Sequence, residues 1–232
     1  MRVAIVENTR VTHHGQVGVA LHEAAAKIDL YKPFAGQPLP DSPDGFDALV
    51  VFGGEQSALD DTTHPYLPRL AALMRQASQA GRAVLGICLG AQVLARGFGA
   101  ENRLGATPEF GWRDVRLTED GRNDPLLGSL GAAFPIFQWH ADTFTLPEGA
   151  THLALSDAAP AQAFRIGRAT WGTQFHFEAS RAVVADWART FPEAVARQDA
   201  GFAVALPDLA ATRGAQADAA GLAIARAFVA QV

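Results

Sequence analysis

Residues 82–97 read RAVLGICLGAQVLARG, and the pattern of the chain changes at the cysteine in their middle. Residues 82–87 form a short apolar run suited to a strand buried on both faces, which leads directly into a helix-like stretch. At the join, Gly86, Cys88 and Gly90 make G-x-C-x-G, the thiol version of the G-x-S-x-G elbow, in which a sharp strand-to-helix turn pushes the nucleophile outward. The flanking glycines remove Cβ atoms that would clash in so tight a turn. Reactive groups in open α/β sheets collect at the carboxyl ends of strands, and Cys88 stands at one. At this level a buried cysteine acting as a small hydrophobe and an activated nucleophile are both open readings.

Upstream, RVAIVE (2–7) and DALVVFGG (47–54) are further buried strands, the second stopped by a Gly pair. VGVALHEAAAKI (17–28) and YLPRLAALMRQASQAG (66–81) have helical spacing, the latter closed by Gly81. Strand and helix alternate, which predicts an α/β fold with a mostly parallel sheet covered on both faces. Downstream, DVRLTED, AFPIFQWHADTFTLP, THLALSD, AQAFRIG and ATWGTQFHF are short β-rich segments that add antiparallel strands. A helix follows at 181–191. The tail from Glu193 is Ala-rich and helical by propensity, with breaks expected at Pro207 and Gly214. The division is a main domain over 1–192 and a helical C-terminal extension over 193–232.

Composition narrows the function. The 232 residues are 49% hydrophobic and carry a net charge of −5, so there is neither a basic face for nucleic acid nor a polybasic membrane anchor. No apolar run approaches membrane-spanning length, and a lone cysteine forms no internal disulfide. A cytoplasmic protein is expected. The only lysines are Lys27 and Lys32, and no G-x-x-x-x-G-K-[ST] occurs. Any nucleotide therefore sits on another chain, and the sequence calls for no cofactor or metal.

A nucleophilic cysteine works as the thiolate. A helix N-terminus lowers a thiol pKa of ~8.5 by no more than about 1.5 units, so a nearby histidine is required. His13, His14, His22, His64 and His152 lie in early loops, on helices or at a strand start, and read as surface or structural residues. His140 in QWHAD and His176 in GTQFHFE each follow an apolar strand. In a regular strand His176 and Glu178 share a face. Glu178 can then fix the imidazole tautomer and leave the other nitrogen for the thiol; a self-satisfied His–Glu pair is the alternative.

G-x-C-x-G-x-Q followed some ninety residues later by G-x-Q-F-H-x-E resembles the class I, or triad-type, glutamine amidotransferases, and in particular their GMP-synthase-like members. The likeness runs from about Arg2 to Arg189. FGGEQSALDD stands where that family has its Gly-Gly oxyanion loop, and PEFGW (108–112) where many members have Glu-x-Gly-Trp. The resemblance implies a flavodoxin-like sheet and a triad of Cys88 as nucleophile, His176 as proton shuttle and Glu178 as its orienter. Glutamine hydrolysis would pass through a γ-glutamyl thioester. The oxyanion would be held by the N–H groups of Leu89 and of Gly54 or its neighbour, and the substrate by Gln92, Phe110, Gly111, Trp112, His140 and Asp142.

The sequence departs from the family at Glu55, where a proline is common, and in having no attached synthetase domain. The implied reading is a stand-alone amidotransferase whose ammonia goes to a synthetase on a separate chain. A γ-glutamyl peptide or conjugate hydrolase with the same triad is the alternative, decided by pocket size. A non-catalytic regulatory module is a third reading, against which the intact triad argues.

Overall fold

The computed structural model describes residues 1–232. The first half alternates as expected: β1 (Arg2–Val6), α1 (Gly15–Glu23), β2 (Lys27–Tyr31), β3 (Ala48–Val51), α2 (Leu67–Gln79), β4 (Ala83–Ile87) and α3 (Leu89–Gly97). The middle holds β5 (Asn102–Arg103), β6 (Glu109–Leu117), α4 (Glu119–Arg122), β7 (Ala133–His140), β8 (Thr143–Phe144), β9 (Thr151–Leu155), β10 (Ala163–Ile166) and β11 (Thr170–Thr173). The chain ends with α5 (Arg181–Thr190), α6 (Pro192–Gln198), α7 (Phe202–Leu209) and α8 (Ala215–Val229).

Nine strands make one sheet in the order β2-β1-β3-β4-β11-β10-β9-β6-β7, with β5 and β8 paired apart. The five from β2 to β11 are parallel, and β10, β9, β6 and β7 extend the sheet antiparallel. Alternate residues of the central strands feed two cores. Val3, Ile5, Val50 and Leu85 join a 38-residue cluster with α1 and α8. Ala4, Val6, Leu49 and Val84 join a 21-residue cluster with α2 and α3. Burial on both faces is why these strands are continuously apolar.

Three local readings differ from the sequence expectation. The helix foreseen to residue 28 ends at Glu23, and Lys27–Tyr31 is instead the edge strand β2. Ala25 takes φ 51°, with Ala26 N–H donating to Leu21 O and Ala25 N–H to His22 O, a Schellman stop without its usual glycine. After α2 the same geometry does use glycine, Gly81 at φ 75°. In DVRLTED the strand stops at Leu117, because the Thr118 side chain accepts from Gly121 N–H and caps α4.

The tail also differs. The chain stays helical through Pro207, and Gly214 lies in a wide turn that joins α7 to α8. The missing Pro207 N–H is accommodated by that wider turn, and the real interruption is at 199–201. Ile224, Ala225 and Phe228 of α8 are buried in the core of the α1 face. No helix is long and apolar enough to cross a membrane.

Candidate active site

β4 delivers Cys88 to the carboxyl edge of the sheet between β3 and β11. Its backbone adopts φ 53°, ψ −111°, one of only two non-glycine residues at positive φ. Such a conformation persists only where neighbours hold it. Cys88 N–H donates to Thr173 O at 2.8 Å, which ties the elbow to β11. A Cβ on Gly90 would be driven into the Val51 carbonyl, and one on Gly86 into the backbone of Gly90. Both elbow glycines are therefore steric necessities.

His176 lies beyond the end of β11 rather than in a regular strand, held by a single bridge in which its N–H donates to Phe137 O at 2.9 Å. The backbone bends here, yet the two side chains still meet. Glu178 Oε1 is 2.7 Å from His176 Nδ1, so Nδ1 carries the proton and donates. The same imidazole hydrogen-bonds Cys88. Burial is the largest single influence on His176 and depresses it, but Glu178 and Cys88, through charge and hydrogen bonds, outweigh burial. Its pKa lies well above the ordinary 6.5. The histidine is thus set to hold a proton beside the sulfur.

The sulfur has two further neighbours. Gln174 Nε2 donates to Cys88 Sγ at 3.7 Å, and Trp139 O is 4.0 Å away. Gln174 is itself oriented by Gln92, whose Nε2 donates to Gln174 Oε1 at 3.2 Å and to Asp142 O at 3.3 Å. Gln92 lines the cavity, but its amide nitrogen is committed to the protein and only its carbonyl oxygen is left for a ligand. Sequence reasoning gives Gln174 no role, though it stands two residues before His176 in the G-x-Q-F-H-x-E motif.

The Gly53-Gly54 loop faces the thiol from β3. A Cβ placed on Gly53 would lie 3.2 Å from His176 Cε1 and 3.4 Å from Cys88 Cβ, which puts this loop directly over the nucleophile–base pair. Leu89 opens α3, so its N–H has no intrahelical acceptor and is free for an oxyanion. The loop is tied at both ends. Asn8 Nδ2 donates to Phe52 O at 2.8 Å, Gln56 Nε2 donates to Asn8 O at 3.1 Å and to Tyr66 Oη at 2.7 Å, and Tyr66 Oη donates to Asn8 Oδ1 at 3.1 Å. Asn8 is buried at 2% exposure. A buried polar residue just after an apolar strand is the sequence signal that could have found it.

His140 and Asp142 line the cavity. His140 does not face Cys88 as a base: Nδ1 is 3.1 Å from Asp142 O, and Nε2 is 3.2 Å from the Glu109 carboxylate without a well-aligned hydrogen bond. Asp142 accepts from Gly105 N–H at 2.8 Å. Phe110, Gly111 and Trp112 are not brought to the cavity. Phe110 pairs with Trp139 across β6 and β7 and packs behind it, and Trp112 stacks on Phe137 and Phe202 in the core. Cross-strand pairing thus places Trp139 at the cavity and the Phe-Gly-Trp segment one strand back. No cluster of three or more His, Cys, Asp or Glu side chains is arranged to hold a metal.

The cavity measures about 590 Å³. Its floor is Cys88, His176 and Glu178, and its walls include Thr9–His13 of the β1–α1 loop on one side and residues of α5 and α6 on the other. His13, expected at the surface, bonds Asp186 at 2.9 Å and reaches this wall. The α5–α6 wall, Trp187 to Gln198, carries no sequence signal, because its residues become a surface only once the two helices pack.

A family model described as "Glutamine amidotransferase class-I" matches residues 16–184. A glutamine amidotransferase-like protein of Salmonella typhimurium, YfeJ, is 38% identical over 65% of this chain, which spans only 64% of that relative's length. The glutamine-hydrolyzing subunit of the GMP synthase of Methanococcoides burtonii is 27% identical, covering 72% of this chain and 85% of its own. Gamma-glutamyl peptidase 3 of Arabidopsis thaliana is 28% identical over 70% of this chain and 67% of its own. The crystal structure of a glutamine amidotransferase from Methylobacillus flagellatus superposes with a TM-score of 0.88 at 25% identity, covering 100% of this chain and 95% of that one.

Proposed function

Because the chain belongs to the class I glutamine amidotransferase family, matched over residues 16–184, we propose that it cleaves the γ-amide bond of glutamine or a γ-glutamyl compound through a Cys88 thioester. The observation that carries the reading is the His176 ring, bonded by Glu178 at Nδ1 and hydrogen-bonded to Cys88. The Cys88 thiolate attacks the amide carbon, and the carbonyl oxygen takes the electron pair in reach of the Leu89 and Gly54 N–H groups. Each such donor is worth about 3 kcal/mol. His176 gives its proton to the leaving nitrogen as the C–N bond breaks. It then takes a proton from water, whose oxygen displaces the sulfur, and glutamate leaves.

In the first reading the substrate is glutamine and the ammonia passes to a synthetase on a separate chain. The similarity to a protein named as a subunit of a glutamine-hydrolyzing synthase supports it. In the second reading the leaving group is a larger amine. The cavity favours this: 590 Å³ holds roughly 20 waters at their ~30 Å³ share of liquid, while glutamine has ten non-hydrogen atoms packed more densely than water. The similarity to a γ-glutamyl peptidase agrees with it. The chemistry common to both is tested by labelling with a glutamine-like diazo-ketone. One adduct is expected, at Cys88, and Cys88→Ala should fold while losing turnover; an adduct elsewhere or retained turnover would remove the assignment.

A further inference from the structure

The unfilled half of the cavity has a definite chemistry. His176 hands its proton to the departing nitrogen, so the leaving group must lie on the side of the imidazole. There Trp187 stands edge-on to His176, with ring centroids 5.3 Å apart, and Trp139 contacts both Trp187 (5.9 Å) and Phe191 (6.0 Å). An aromatic wall therefore begins at the catalytic base itself.

The wall continues along one helical stripe. Phe191 caps α6, and Phe191, Ala194, Arg197 and Gln198 all line the cavity. Their spacing of three and four residues places them on a single face. The sequence along the stripe is aromatic, small, then cationic. Arg197 makes no ion pair or hydrogen bond within the chain, in contrast to Arg2, Arg96, Arg165, Arg181, Arg213 and Arg226, each bonded to a carboxylate. A guanidinium with its five donors free, at the far end of an apolar wall, matches a planar carboxylate in geometry and charge.

Resting on the γ-glutamyl hydrolase reading, we propose that Trp187, Phe191 and Arg197 form a leaving-group subsite selective for γ-glutamyl amides of apolar or aromatic α-amino acids. The side chain of the released amino acid packs on the aromatic wall, and its carboxylate meets Arg197. Free glutamine, whose leaving group is ammonia, reaches none of this surface.

The test is steady-state kcat/KM for glutamine, γ-glutamyl-phenylalanine and γ-glutamyl-phenylalaninamide, which lacks the distal carboxylate, on the wild-type chain, Arg197→Gln and Phe191→Ala. The wild type should prefer γ-glutamyl-phenylalanine to glutamine by about tenfold or more. Arg197→Gln should lower the ratio of the free acid to its amide roughly fivefold, the upper end for an exposed ion pair. Phe191→Ala should lower both dipeptides relative to glutamine. If Arg197→Gln depresses all three substrates equally, the guanidinium serves the glutamyl moiety or the fold, and the subsite is refuted. If glutamine is turned over as well as the dipeptides, the subsite is refuted while the Cys88 chemistry stands. If nothing is turned over and the diazo-ketone leaves Cys88 unlabelled, the catalytic reading falls and the subsite with it.

Discussion

The side-chain amide of Gln174 points its N–H at the sulfur of Cys88 across 3.7 Å, and Gln92 holds it in that orientation. A neutral donor aimed at the nucleophile favours the charged form of the sulfur without competing for the proton that His176 must carry. Gln174→Leu removes this donor at nearly constant volume. We expect alkylation of Cys88 by iodoacetamide at neutral pH to slow about tenfold, with hydrolysis slowed in parallel, since a hydrogen bond to a charged group contributes about 1.5–3 kcal/mol. Unchanged alkylation would show that Gln174 only fills space. Gln92→Leu, which frees Gln174 to turn, should reproduce part of the effect.

The pairing of His176 with Glu178 and Cys88 gives a pH dependence with a definite sign. The folded-state pKa of His176 is raised, so the stabilisation from its charged form is complete below the ordinary value of about 6.5 and is lost as pH rises through the higher folded-state value. Glu178→Gln removes one of the two charges that raise it. The imidazole resonance of His176 should then titrate at lower pH than in the wild type, and kcat should fall by about 10²-fold, less than for His176→Ala. An unmoved titration would mean that Glu178 does not act on the ring electrostatically.

Two glycine substitutions should separate folding from catalysis. Gly90→Ala drives a Cβ into the Val51 carbonyl, backbone against backbone with nothing flexible to yield. It should cost about 1–3 kcal/mol or more, read as several degrees of Tm. Gly53→Ala places its Cβ 3.2 Å from His176 Cε1 and 3.4 Å from Cys88 Cβ, contacts the fold can absorb. Tm should hold while kcat/KM falls ten- to a hundredfold, because the methyl occupies the approach to the thiol. Equal loss of Tm in both would contradict the placement of this loop.

The catalytic elements are legible in the sequence because each has a local steric or chemical signature. Gly86 and Gly90 mark the elbow, Gly81 marks the end of α2, and the His-x-Glu spacing survives the bend that replaces the expected strand at His176. What is not legible depends on packing between distant segments. Ala25 ends α1 in a conformation that normally announces itself with glycine, so β2 reads as helix. Phe110 and Trp112 look like ligand-binding aromatics until the pairing of β6 with β7 sets them behind Trp139. Asn8 and Tyr66 are 58 residues apart and meet only in the fold.

That last contact decides how the oxyanion loop behaves. Gly53-Gly54 alone reads as a hinge that a synthetase could close, which predicts a slow glutaminase accelerated tenfold or more by its partner. In the structure the residues bracketing the hinge are fixed: Phe52 O by Asn8, and Gln56 by Asn8 and Tyr66. The Tyr66 hydroxyl is pushed up to about 12 by burial, the hydrogen bond from Gln56 pulling the other way, so it stays a donor to Asn8 at any working pH. A loop tied within the chain needs no partner to set it. The isolated protein should therefore turn over a γ-glutamyl dipeptide at its full rate, with no increase on adding a synthetase and its substrates. Tyr66→Phe leaves the buried Asn8 Oδ1 without its donor, a loss of about 1–3 kcal/mol; kcat should drop several-fold while KM changes little. Steady-state kinetics of the wild type and this variant, with thermal melts alongside, checks both. Slow basal turnover that rises with a synthetase, and is indifferent to Tyr66→Phe, would return the hinge to its role and the substrate to glutamine.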